Sequence, residues 1–137
     1  MKEIPKNLDW VSVRAKCSMA SVFDALKDEV QKDVISQNSL PDHSKFEVKF
    51  NNGSFTVISG DGAVIKAMVF TLTGETIQVK NAARKVLFEA GLTLNDAGEC
   101  KLKVGDQELE LWQFRRRALE ELFFGAFDAY PEAGDRA

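Results

Sequence analysis

Histidine is nearly missing from this chain of 137 residues, with His43 the single example, and cysteine occurs only at Cys17 and Cys100. One imidazole and two distant thiols cannot supply the three or four ligands of a structural zinc site, so neither a metal nor a cofactor is expected. Asp42, His43 and Ser44 are consecutive. A nucleophilic triad meets through the fold, with the acid on the far side of the base, so His43 reads as a solvated loop imidazole. No apolar run approaches the ~20 residues that span a bilayer. The segment MKEIPKNLDW carries no signal-peptide core, which points to a cytoplasmic chain with no membrane role. In that compartment both thiols are expected to stay reduced, with Cys100 turned inward beside Leu102 and Val104.

An excess of one charge sign is also lacking. Lys and Arg total 18 against 21 Asp and Glu, a formal charge of −3, and the signs alternate along the whole chain. Without a basic arm or face to release counterions, nucleic-acid binding is disfavoured. There is no repeat, no low-complexity segment and no dividing linker. The chain reads as a single domain over residues 1–137, with 1–8 and 131–137 as frayed termini.

What is present is an even supply of core. Hydrophobic residues make up 45% of the chain. A domain of this size buries roughly 68% of its unfolded surface. Leu8, Val11, Ala15, Met19, Val22, Leu26 and Val30 recur at three- and four-residue steps. They predict one amphipathic helix of about 28 residues, ~42 Å long, ending near Gln37. An antiparallel meander follows. Phe46, Val48 and Phe50 alternate with charges, and Asn51-Asn52-Gly53 is a hairpin turn, which also accounts for the Asn-Gly-Ser acceptor pattern. Gly60-Asp61-Gly62 and Thr73-Gly74-Glu75 supply two further turns.

Residues 81–94 admit two readings. Asn81 and Gly91 suit the ends of a helix, whereas Phe88, Ala90, Leu92 and Leu94 line one face of a strand. The strand is favoured because it continues a pattern of about six strands. Strands from Glu99 to Val104 and from Gln107 to Phe114 come next, then a helix through Leu119, Leu122, Phe123, Ala126, Phe127 and Tyr130. The expected class is α+β: a long N-terminal helix on a curved antiparallel meander, with a C-terminal helix.

Catalytic constellations are thin. Gly60-Asp61-Gly62 joins strands instead of opening a helix, so it is no phosphate cradle. Glu108 and Glu110 share a solvent-facing strand side, unlike an acid kept protonated by a dry setting. Arg115-Arg116-Arg117 is a sharper feature. It falls where the last strand should meet the final helix, at a terminus whose dipole opposes cations. Either Glu120, Glu121, Glu108 and Glu110 neutralise it, or it binds an anion or an acidic partner.

The other departure is a second apolar sheet face. Ile65, Ala67 and Val69 are expected inward, leaving Met68, Phe70, Trp112 and Phe114 on the opposite side. The two helices could cover different faces, or a curled sheet could wrap one helix. Otherwise that side is an interface, or lines a cavity for an apolar small molecule. The expectation is a non-catalytic interaction or self-association module, a homodimer joined through Met68, Phe70, Trp112 and Phe114. The alternative is a small-molecule-binding protein or cryptic enzyme with a cavity between helix and sheet.

Overall fold

The structure, a computed structural model, describes residues 9–41, 45–59 and 66–124. His43, the turn at 60–62, Ile65 and both expected frayed termini lie outside the described residues. Three helices and a seven-stranded antiparallel sheet form an α+β fold, one strand more than the pattern suggested.

The N-terminal stripe is two helices, not one. Asp9 caps α1 (Trp10–Lys16), accepting hydrogen bonds from the Ser12 amide at 3.3 Å and the Ser12 hydroxyl at 2.8 Å. Cys17 then leaves helical geometry at φ −87° and ψ 71°. The Ser18 hydroxyl opens α2 (Met19–Asn38) by accepting from the Ser21 amide at 3.2 Å. A serine hydroxyl competes with the helical ladder for such amides, so an unbroken apolar stripe can still be cut. The thiols are not free either. Cys17 and Cys100 form a disulfide across 83 residues. Cys100 does share the helix-facing side of its strand, but at an exposed edge instead of in the core.

The chain leaves α2 through a side-chain clamp. Asn38 donates to the Phe46 carbonyl and accepts from the Phe46 amide, both at 2.8 Å, imitating a strand partner at the start of β1. The strands β1 (Phe46–Asn51), β2 (Ser54–Ser59), β3 (Ala67–Thr73), β4 (Thr76–Asn81), β5 (Val86–Leu94), β6 (Cys100–Val104) and β7 (Gln107–Leu109) pair in sequence order. At the first turn Gly53 takes the positive φ of 70° while Asn52 does not.

The ambiguous segment is a strand. Asn81 Oδ1 accepts from the amides of Ala83 and Lys85, and Arg84 turns the chain at φ 67°, a region that disfavours side chains. Asn81 therefore caps a tight loop, not a helix. β5 is shared between neighbours, with residues 86–90 paired to β4 and 91–94 to β6.

The last expected strand is mostly helix. β7 ends at Leu109, and α3 spans Leu111–Phe124. Gln113 Oε1 reaches back to accept from the Glu110 amide at 2.8 Å, the returning half of a capping box. Because α3 starts this early, Arg115 to Arg117 lie inside the helix, not at a strand-to-helix junction.

Both long helices cover the same sheet face. α2 packs on β1 and β4, and α3 on β3, β6 and β7. That face holds Phe55, Val57, Met68, Phe70, Ile77, Val79, Ala90, Leu102 and Leu109, all buried. The expected facing of β3 is thus inverted: Met68 and Phe70 point inward, and Ala67 and Val69 point out. Register decides it, since Phe70 stands between Phe55 and Val79. Its ring stacks on Phe55 with centroids 4.7 Å apart and planes 11° from parallel. Burying one such side chain contributes about 1.5–3 kcal/mol. The outer face carries Thr56, Val69, Thr71, Gln78, Lys80 and Glu89, the mixed surface of a sheet solvated on one side.

Candidate functional site

Two helices laid side by side on one sheet leave a seam between them. Asp33, Ser36, Gln37 and Leu40 follow steps of three and four along α2 and its C-terminal end. Trp112, Arg115, Arg116, Leu119, Glu120 and Phe123 do the same along α3. Facing each other, these rows line an open groove of about 470 Å³, to which Phe124 also contributes.

The floor is rigid. Leu119 and Gln37 are buried, and the Gln37 amide donates to the Phe123 carbonyl at 3.3 Å. This bond gives the Phe123 carbonyl a side-chain partner on α2. It also ties the end of one helix to the other. The wall carries a two-pronged ion pair. Arg115 donates to both Asp33 oxygens, at 2.7 and 3.3 Å, with Glu29 4.0 Å away. Both partners are mostly shielded, so the forked geometry holds the helices in register instead of merely decorating them. Arg116 pairs with Glu120 at 2.9 Å along α3, well exposed and worth about 0.3–0.5 kcal/mol.

The rim is apolar and open. Trp112 is 54% exposed and Phe124 56%, with Leu40 also at the surface. An indole at the surface, as at Trp112, costs free energy in water that a partner surface can recover.

The residues expected to form one interface do not meet. Met68, Phe70 and Phe114 are buried in the core, and Trp112 alone faces solvent. The second apolar face of β3 is this core itself, covered by both helices.

The arginines diverge instead of converging on one anion, because successive helical residues point about 100° apart. Arg115 reaches α2, and Arg116 stays on its own helix. Arg117 donates to Gln107 at 2.7 Å and lies over the Phe88 ring, 5.8 Å from its centroid. Of the expected neutralising partners only Glu120 is engaged as foreseen. Glu108 instead accepts from Asn95, and Glu110 pairs with Lys101.

The groove residues missed by sequence reasoning are Asp33, Ser36, Gln37, Leu40 and Phe124. Asp33, Ser36 and Gln37 border the apolar stripe of α2 without belonging to it. The signal was their helical spacing, which has meaning only once α3 is known to lie alongside.

Among the described residues no cluster of three or more His, Cys, Asp or Glu is placed to hold a metal, and no helix is long and apolar enough to cross a membrane. Comparison with protein-family models, with curated proteins and with solved structures finds no match. The fold and groove define a class by geometry alone: an α+β meander with one face sealed by two helices and an amphipathic seam between them.

Proposed function

We propose that this chain is a non-catalytic self-association module, two copies of which join through the groove between α2 and α3. The observation that carries the reading is Trp112, 54% exposed on the rim of the 470 Å³ groove. A two-fold dimer needs one surface that complements itself. Here an aromatic projection and a concave receptor lie on the same surface. The groove charges are two acids and two bases, Asp33, Glu120, Arg115 and Arg116, so a second copy meets no net like-charge repulsion. The dimer thus moves from the expected sheet face to the helical seam and keeps Trp112 as its anchor.

Sedimentation velocity at micromolar concentration tests this reading. The expected outcome is a dimer for the native chain and a monomer for Trp112→Glu with an unchanged far-UV spectrum. Loss of a central tryptophan anchor commonly costs 2 kcal/mol or more, about thirty-fold in dissociation constant. A native chain that stays monomeric, or a Trp112→Glu variant that still dimerises, refutes it.

A second reading has one observation in its favour. Arg115 and Arg116 line a partly apolar groove, which suits a small amphiphile with a carboxylate. Such a ligand would have to displace Asp33 or Glu120, which is why the reading ranks second. Between helix and sheet, where this alternative places a cavity, Leu26, Val30, Phe55 and Phe70 form packed core, and an open cleft of about 240 Å³ remains between Val22 and Ala25 on α2 and Leu92 and Leu102 on the sheet. The expectation of a cytoplasmic location rested on the missing signal-peptide core, and the reduced thiols were expected from that location. The Cys17–Cys100 bond runs against both, because disulfides persist mainly in oxidising compartments.

A further inference from the structure

We infer that the Cys17–Cys100 bond is a reducible tether for α1, and that a dithiol reductant releases this helix while the rest of the fold persists. α1 buries no residue of its own, and Trp10 and Val11 at its start are 65% and 59% exposed. Cys17 is the first buried residue after it. The helix is therefore held by its end, through the sulfur bridge to β6. At 7 residues it is too short to persist alone, since isolated helices below about 12–15 residues are marginal.

The bridge is reachable from both sides. Cys100 is exposed and lines a cleft of about 240 Å³ with Lys16 and Ser21. Cys17 lines a second cleft, of about 650 Å³, with Arg14 and Glu75. Access selects the sulfur that is attacked. A thiolate of the reductant bonds to Cys100 Sγ, the S–S bond breaks, and Cys17 leaves as a thiolate. The second thiol of the reductant then attacks the mixed disulfide and expels the Cys100 thiolate. The net products are two protein thiols and one oxidised reductant, which supplies both electrons and both protons.

Cys17 is the leaving sulfur because it is the buried partner of the pair, while Cys100 is open to attack. Release uncovers the sheet end at Gly74–Thr76 and Gly91–Leu94, which share the larger cleft with Arg14 and Cys17.

The test compares the full chain before and after millimolar dithiothreitol, by alkylation mass, by hydrogen exchange, and by tryptic cleavage at Arg14 and Lys16. Before reduction no thiol should alkylate, and afterwards two should. Cleavage at Arg14 and Lys16 should rise at least ten-fold, while exchange in β1 and β2 stays within two-fold. Cys100→Ser should show the fast cleavage without reductant and no further change with it. Alkylation before reduction, unchanged cleavage after it, or a parallel rise of exchange in β1 and β2 each overturns the tether. In the last case the bond holds the whole fold together instead of one helix.

Discussion

Replacing Phe70 and Val69 by alanine, one at a time, tests which side of β3 is the inside. Phe70 has no solvent exposure and stacks on Phe55, and it stands between Phe55 and Val79 in the register. Truncating a buried phenylalanine costs about 3–5 kcal/mol in transfer and cavity terms. Val69 lies on the outer face between Thr56 and Lys80, half-buried, so its truncation should cost about 1 kcal/mol or less. Unfolding entropy of about 2.1 cal/mol/K per residue gives a chain of 137 residues roughly 0.29 kcal/mol/K at the midpoint. Phe70→Ala should therefore lower Tm by about 10–17 °C, and Val69→Ala by about 3 °C or less. Calorimetry or thermal circular dichroism reads both shifts. A larger loss for Val69→Ala than for Phe70→Ala would mean that β3 faces the other way, and the core described here would be wrong.

Two other predictions concern the ion pair between α2 and α3 and the cap of α1. Asp33→Ala and Arg115→Ala, combined in a double-mutant cycle in urea, should show a coupling of about 1–2 kcal/mol, because the pair is forked and largely shielded; coupling near zero would deny it any role in fixing the helices. The Asp9 carboxyl is held below its ordinary value, chiefly by the Ser12 hydroxyl and then by the Ser12 amide. A depressed folded value makes the cap fully effective above about pH 4 and weaker as pH falls through that lowered value. Tryptic-site protection is unusable in acid, so amide exchange in α1 is the measure, and it should rise on acidification in the native chain and be pH-independent in Asp9→Ala once intrinsic exchange is corrected.

The parts of the fold legible from residues alone are those with a one-sided signal. Phe46, Val48 and Phe50 alternate with Lys and Glu, and Asn51-Asn52-Gly53 turns the chain, so β1 and β2 are found with the right sides towards the helices, although Phe50, at the turn end of the edge strand, is 49% exposed. β3 is apolar on both sides, so parity carries no information there. Its register depends on how the chain returns from β2, which composition does not specify. α3 starts early because Glu110 and Gln113 cap it, and this pair lacks the usual Ser or Thr that marks a helix start. The disulfide was hidden for a different reason. Cys17 and Cys100 have no informative spacing, and only a folded sheet brings their Cα atoms to 5.6 Å. The groove was invisible for the same reason, since each wall belongs to a different helix separated by the entire meander.

The strictly sequential strand order has a kinetic consequence. Each strand pairs with the one before it, so the sheet can grow by hairpin additions, each closing only a small loop. The contacts between α2 and α3 are of another kind, with Asp33 and Arg115 separated by 82 residues and Gln37 and Phe123 by 86. They close more than 80 residues of chain at once, a far larger loop than any hairpin in the sheet. The groove therefore exists only where both helices are docked, and a chain with one of them undocked does not display it. A partner that recognises the seam, including a second copy, engages finished molecules only.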